Sequence, residues 1–210
     1  MHREIRAMTR LARLVALHDR AAATLERAAE PWLLGLLARL VFAGVLFSYY
    51  WTSALTKIGE GVDGVFAIQD AAYWQMFGEA TLAEYGYDAA QLPLLPYDLM
   101  AVAGTYAEFL LPVLIVAGLA TRLAALGMIV FVLVQSWVDV TVHGLDAPSV
   151  GALFDRAPGA VIWDQRTLWV FLLGYLVVKG AGLVSLDALL RRRLPAAAAA
   201  RAGAAARKPS

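Results

Sequence analysis

Long apolar runs separated by polar segments dominate the pattern along this chain. Four of these runs approach the ~20 residues with which an α-helix crosses a hydrocarbon core of roughly 30 Å. They lie at about residues 32–54, 99–120, 123–140 and 168–186. Because lipid offers backbone groups no hydrogen-bond partner, each run is predicted to be a transmembrane helix. The pattern therefore predicts an all-α fold, a transmembrane four-helix bundle in one membrane domain at residues 31–190.

Composition favours this membrane bundle over a soluble helical bundle. Apolar residues make up 60% of the chain, charged residues 17%, and the mean hydropathy is +0.63. The chain has no cysteine, so it has no disulfide, no thiolate metal site and no thiol redox chemistry of its own. It also shows no glycine-rich nucleotide fingerprint after a strand. We therefore expect no metal and no cofactor that the chain binds by itself through a known motif.

The charges are distributed unevenly between the segments that flank the spans. Residues 1–30, Arg122 and the residues from Asp187 onward hold 13 basic and five acidic side chains. The two long connections, 57–98 and 139–167, hold three basic and 11 acidic side chains. By the positive-inside rule, both termini and the turn at Arg122 are predicted to be cytoplasmic, with both acidic connections outside.

The segments outside the spans carry further predictions. Apolar positions recur at helical spacing between the arginines of residues 1–30, which indicates an amphipathic helix on the cytoplasmic leaflet. A partly disordered basic leader remains the alternative. The aromatic-rich stretch 65–77 in the first external connection predicts a short helix resting on the outer surface, and 139–167 predicts a loop. The alanine-rich, basic tail at 191–210 is predicted to be disordered.

Glu108 is the most unusual residue of the spans, because it is a lone carboxylate in an apolar run. At helical rise it lies about 18 Å from the cytoplasmic turn, while Lys179 and Arg39 lie about 12 and 10 Å deep. We therefore predict a buried ion pair or triad of Glu108 with Arg39, Lys179 or both, and these three are the candidate catalytic residues. The alternative, held equally open, is that the cluster only locks the helices together.

Other polar side chains in the spans are candidate ligand-binding residues. Tyr49 and Thr52 belong to a polar face on span 1, which packs against neighbouring helices or binds a ligand. Thr105 lies beside the face that carries Glu108. Asp139 and His143 are four residues apart at the outer end of span 3, a spacing that suits a proton relay or two metal ligands.

Several sequence blocks together resemble the DoxX family of small four-helix bacterial membrane proteins. These blocks are RLVFAGVLFSYYWTSALTKI in span 1, AEFLLPVLIVAGLATRLAALGMIVFVLVQSW across spans 2 and 3, and VVKGAGLVSLDALL after span 4. The family's pattern places functional or structural residues at the following positions: Arg39, Gly44, Phe47, Lys57, Glu108, Thr121, Arg122, Gly180, Gly182, Ser185 and Asp187. The chain differs from a typical member in its long external connections and its N-terminal extension.

The resemblance implies a membrane component of a redox system in the bacterial inner membrane. Its namesake relatives resemble subunits of a thiosulfate:quinone oxidoreductase, which implies a quinone as ligand and a partner protein as electron donor. Our leading hypothesis is therefore a subunit of a quinone-linked oxidoreductase or redox-stress system, in which Glu108 relays protons. Two alternatives remain: a non-catalytic scaffold that recruits partner proteins, and a small proton-coupled transporter. The expected partners are lipid, another protein or a second copy of the chain, and no nucleic acid.

Overall fold

The computed structural model describes residues 2–193, with side chains from residue 12 onward, and within that range it is all helical apart from turns and one isolated β-bridge. Four helices are long and apolar enough to cross a membrane. They are span 1 (Leu33–Leu55), span 2 (Leu94–Ala117), span 3 (Thr121–Thr141) and span 4 (Val161–Lys179). The predicted all-α transmembrane four-helix bundle is confirmed.

Span 4 shows the largest error in the predicted boundaries, which were 168–186. The helix begins at Val161 and ends at Lys179. It ends there because Gly180 adopts a φ of +80°, a left-handed conformation that glycine tolerates and that terminates a helix. Residues 180–185 are irregular, so the apolar sequence after Lys179 does not continue the span. Hydrophobicity alone could not distinguish an extended apolar segment from helix.

The four spans form a ring in which each packs against its neighbours along the chain, and span 4 closes the ring against span 1. The segment after span 4 returns to the start of span 1, where the Leu183 amide donates to the Pro31 carbonyl at 2.8 Å. Gly35 allows this close approach, because a Cβ there would lie 2.7 Å from the Ala181 carbonyl carbon. The start of span 1 and the segment after span 4 therefore lie together, at the end of the bundle that we call the terminal end. The opposite end, with the two long connections, is the loop end.

The core of the bundle follows from helical spacing. Phe42, Leu46 and Tyr50 are four residues apart on span 1 and are 0–1% exposed. Their positions bracket a π-helical turn at Ala43–Phe47, which interrupts the regular α-helix of span 1. They pack with the buried side chains of the other spans, which are Ile115, Ala124, Ala125, Met128, Val132, Leu173 and Leu176.

The connecting segments contain shorter helices. The N-terminal helix is His2–Ala29, and the loop-end helices are Gly61–Gly64, Asp70–Glu84, Ala89–Gln91 and Ala147–Val150. The helix predicted within the first external connection is present at Asp70–Glu84, interrupted at Gly78, and we call it the outer helix. Residues 186–193 are helical, so the predicted disordered tail is wrong at 191–193, and its remainder lies outside the described residues. The placement of the N-terminal helix on lipid stays a prediction.

The outer helix is anchored to the bundle through its aromatic face. It packs against spans 2 and 3. The Tyr73 hydroxyl donates to the Asp98 carboxylate at the start of span 2. Burial and this hydrogen bond raise the pKa of Tyr73 to about 12, so the phenol stays protonated and remains a donor at neutral pH. The outer helix is thereby held above the loop end of the bundle.

Candidate functional site

A buried ion pair between Lys57 and Glu108 lies at the loop end of the bundle. Lys57 Nζ is 2.6 Å from Glu108 Oε2, and the two side chains are 2% and 6% exposed. Lys57 Nζ also donates to Ser53 Oγ at 2.7 Å and to the Ser53 carbonyl at 3.3 Å. The Ser53 hydroxyl donates in turn to Glu108 Oε1 at 3.4 Å. Ser53, Lys57 and Glu108 therefore form one hydrogen-bonded group, which we call the Lys57–Glu108 cluster.

The local structure explains why Lys57 points into the bundle rather than into water. Span 1 ends at Leu55, and the side chain of Lys57 turns back along the last turn of the helix to reach Ser53, four residues earlier. The side chain is 2% exposed, and the connection that follows is held at the end of span 1, where the Gln69 amide donates to the Lys57 carbonyl at 2.9 Å. The loop end of span 1 thus carries a cation that is shielded from solvent.

The predicted pairing of Glu108 with Arg39 is wrong. Arg39 lies at the terminal end and is 8% exposed. Its guanidinium donates to three main-chain carbonyls: Ile115 at 3.0 Å, Val116 at 2.5 Å and Val184 at 2.5 Å. The last carbonyls of a helix lack intrahelical partners, and Arg39 supplies donors to two of them at the end of span 2. Arg39 therefore joins span 1 to span 2 and to the segment after span 4.

The predicted pairing of Glu108 with Lys179 is also wrong. Lys179 is the last residue of span 4, and its ammonium binds the Glu30 carboxylate at the terminal end. Both partners are half-exposed, at 50% and 44%. Span 4 ends at Lys179 and does not continue to the predicted residue 186. Lys179 therefore lies about two helical turns closer to the membrane surface than predicted.

One signal in the sequence could have identified the true partner. Lys57 is the single lysine or arginine between Arg39 and Arg122. It also continues the polar face of span 1 one turn beyond Ser53. Among the predictions Lys57 is named only as a position of the DoxX pattern. Only the packed connection shows that it turns inward.

The Lys57–Glu108 cluster borders a cavity of about 1020 Å³ that is enclosed by spans 1, 2 and 3 and by the outer helix. Its polar side chains are concentrated toward the loop end, where they alternate with apolar ones such as Met76 and Phe77, and its wall toward the terminal end is apolar. The polar residues are Tyr49, Ser53, Lys57, Gln75, Thr81, Glu108, Gln135, Asp139 and His143. The apolar wall includes Ala107, Leu111, Leu126, Val130 and Val134. Val130 and Val134 on span 3 are 55% and 47% exposed, so the cavity is open along the apolar side of span 3.

Asp139 and His143 both line this cavity, although span 3 ends at Thr141 and His143 lies just beyond the helix. They make separate contacts. Asp139 Oδ2 accepts from Arg166 at 2.5 Å, and Arg166 also donates to the Ser136 hydroxyl at 3.0 Å. His143 Nε2 lies 2.9 Å from the Gln75 carbonyl on the outer helix. Arg166, 4% exposed, was not singled out in the sequence because it precedes the predicted start of span 4.

The three remaining candidate ligand-binding residues divide between the cavity and other positions. Tyr49 lines the cavity, and its hydroxyl accepts from Gln135 Nε2 at 2.8 Å. Thr52 does not line it and is exposed beside a smaller depression on span 1. Thr105 is fully buried, and its hydroxyl donates to the Ala101 carbonyl one turn earlier at 2.7 Å. Thr105 thus contributes to packing within span 2.

At the terminal end, Asp187 caps the first turn of span 3. Its carboxylate accepts from the Ala120 amide at 2.7 Å and from the Thr121 amide at 3.0 Å. Burial opposes the charge, but the amide donors and nearby Arg191 outweigh it, so the pKa of the Asp187 carboxyl is below its usual value. Asp187 therefore ties the segment after span 4 to the turn between spans 2 and 3.

We expect Asp187→Asn to destabilise the protein at neutral pH by about 0.3–1 kcal/mol, since the amide keeps the shape of the cap but loses its charge at the helix terminus. A carboxyl whose folded pKa is lowered stabilises the protein above its unfolded pKa, and this contribution disappears as pH falls through the folded pKa. The difference between variant and native protein should therefore begin to shrink as the pH falls below about 4, the unfolded pKa of an aspartate. Unfolding curves at pH 7 and pH 3 measure it, with exposed Asp63→Asn as the control. An equal difference at both pH values would contradict the assigned role of the charge.

The arrangement of these residues defines an integral membrane protein: a bundle of four apolar helices with a polar contact at each end and a cavity bordered by three of the spans and the outer helix. The chain also matches the family model described as DoxX over residues 34–144, more than half of its 210 residues. It belongs to the DoxX family. The matched part includes Arg39, Lys57 and Glu108, while span 4 and Asp187 lie beyond it. The comparisons with curated proteins and with solved structures found no match.

Proposed function

We propose that this protein is a membrane subunit of a quinone-linked redox system, and that it binds the quinone headgroup beside the Lys57–Glu108 cluster. The observation that carries the proposal is the cavity of about 1020 Å³, which has a buried ion pair at one end and an apolar wall open toward the bilayer. A lipid-soluble molecule with a polar head and a hydrocarbon tail matches this gradient of polarity.

The residues of the cavity fit such a ligand in size and chemistry. Ligand sites usually measure about 300–1,000 Å³ and combine apolar walls with a few polar groups. The apolar wall near Leu111, Leu126 and Val130 would hold the tail, and the polar rim would hold the head. When bound, a quinone would accept two electrons and two protons. The chain's own contribution is to orient the head, to exclude water and to hold or release a proton at the Glu108 carboxylate.

Electrons would come from a partner protein, since the chain has no cysteine and no recognised redox motif. The proposal also includes the orientation that the charge distribution predicts. Both termini would face the cytoplasm of a bacterial cell and the loop end would face outward. The donor protein would then meet the subunit near the loop end, where the Lys57–Glu108 cluster lies.

Filling the cavity tests the binding proposal. We expect Ala107→Trp to reduce bound quinone at least fivefold, because Ala107 lines the cavity beside Glu108 and an indole would occupy the space of the headgroup. Leu110→Trp is the matched control, because Leu110 lies three residues further on span 2, is 57% exposed and does not line the cavity. Quinone would be extracted from protein reconstituted in quinone-containing vesicles and quantified by mass spectrometry per mole of protein.

The outcomes separate the candidate functions. Loss of quinone in Ala107→Trp but not in Leu110→Trp supports the proposal. Native protein that retains no more quinone than empty vesicles would overturn it. In that case the non-catalytic scaffold becomes the leading candidate. Phe66 and Phe154 at the loop end, 79% and 99% exposed, would then be available to contact a partner protein.

A further inference from the structure

The hydrogen bonds of the Lys57–Glu108 cluster leave it with spare acceptors and no spare donor. An ammonium has three N–H donors. Lys57 Nζ directs them to Glu108 Oε2, to Ser53 Oγ and to the Ser53 carbonyl. The hydroxyl hydrogen of Ser53 is committed to Glu108 Oε1. Every donor in the cluster is therefore engaged within it.

The Glu108 carboxylate keeps unused acceptor capacity. Two carboxylate oxygens offer about four lone-pair sites. Among the residues that the structure describes, Glu108 accepts one hydrogen bond at each oxygen, from Lys57 and from Ser53. At least about two sites remain, and Glu108 lines the cavity. A ligand at this end of the cavity is thus favoured when it donates a hydrogen bond and is opposed when it presents only a lone pair.

We infer that the cluster selects a headgroup that bears a hydroxyl, so that the protein binds the hydroquinone form of its ligand in preference to the quinone form. This inference rests on the proposed function, because it concerns the redox form of the same ligand. The two forms share the ring and tail and differ at the oxygens. A hydroquinone donates O–H to Glu108, whereas a quinone carbonyl would face a carboxylate with no proton between them.

Gln135, another polar residue that lines the cavity, does not impose the same choice. Gln135 has a second amide hydrogen beyond the one it donates to Tyr49, and its carbonyl already accepts from Tyr50 at 3.2 Å. An oxygen of either the hydroquinone or the quinone could accept a hydrogen bond from this amide. The selection between forms is therefore assigned to Glu108 rather than to Gln135, and a change at Glu108 should alter it.

Binding of three matched ligands to the native protein tests the inference. They are a tail-bearing hydroquinone, its quinone and its dimethyl ether, which keeps the ring but has no hydroxyl hydrogen. Affinities would be measured anaerobically by competition on protein in lipid nanodiscs. We expect the hydroquinone to bind at least about tenfold more tightly than the other two, the scale of one hydrogen bond to a charged group. Equal affinities for hydroquinone and ether, or tighter binding of the quinone, would overturn the inference.

Glu108→Gln provides the second measurement. The amide replaces an acceptor-only group with two donors and an acceptor, so we expect the preference for hydroquinone over quinone to fall at least about fivefold. Glu30→Gln is the matched control, since it makes the same change in the exposed pair with Lys179 and should leave the preference as in native protein. An unchanged preference in a folded Glu108→Gln protein would assign the selection to another residue and overturn the inference. Failure of all three ligands to bind native protein would instead refute the proposed function.

Discussion

Replacing Lys57 with methionine is expected to destabilise the bundle by about 3–5 kcal/mol, because the change leaves the Glu108 carboxylate buried without its cation. Methionine keeps most of the length of the lysine stem, so lost packing contributes little. The pair is 2% and 6% exposed, so little solvent is available to replace the lost partner. The measurement is an unfolding titration in mixed micelles, followed by the fluorescence of the six tryptophans.

Lys179→Met is the matched control for this prediction. It also removes a lysine from an ion pair, but Lys179 and Glu30 are 50% and 44% exposed, so water replaces the interaction and the loss should be much smaller. The double variant Lys57→Met with Glu108→Gln should recover part of the lost stability, because no unpaired charge then remains. Similar losses in the two lysine variants would mean that the Lys57–Glu108 pair is not buried in the membrane protein.

Arg39→Lys is expected to cost about 3 kcal/mol, although it conserves the charge. The planar guanidinium donates to three carbonyls on two segments, Ile115 and Val116 on span 2 and Val184 after span 4. An ammonium is a compact point donor and cannot reproduce that fork. Each hydrogen bond from a charged donor is worth about 1.5–3 kcal/mol, and more than one would be lost. The same unfolding titration measures the effect.

Arg122→Lys is the control for the terminal end, since it makes the same substitution at an exposed arginine in the turn between spans 2 and 3. It should leave the unfolding curve nearly unchanged. If Arg39→Lys behaved like Arg122→Lys, the contacts of Arg39 with the carbonyls could not be what joins the ends of spans 1 and 2.

These predictions describe two polar contacts with different roles. At the terminal end, Arg39 and Asp187 satisfy backbone groups at helix ends, Arg39 at the end of span 2 and Asp187 at the start of span 3. At the loop end, Lys57 and Glu108 are paired to each other and border the cavity. Packing alone would explain the first contact. The second combines a buried charge with access for a ligand, and for that reason the proposed function is assigned to the loop end.

Hydrophobicity determined the number of spans, because a run of about 20 apolar residues has few alternatives to a helix in lipid. The same reasoning identified Glu108 as a residue that needs a partner. These conclusions depend on composition and on helical spacing, which are properties of the chain before it folds. The resemblance to the DoxX family likewise depended on the order of residues alone.

The partner of Glu108 was decided by tertiary structure. Depth along a helix gives one coordinate, and the prediction made from it named Arg39 and Lys179 as partners. In the structure the Lys57 side chain turns back along span 1 to Ser53 and Glu108. Span 4 ends at Lys179, because Gly180 terminates the helix, so Lys179 stays at the terminal end. The sequence determined that a buried carboxylate must be paired, whereas only the packing of the connections against the spans determined which cation reaches it.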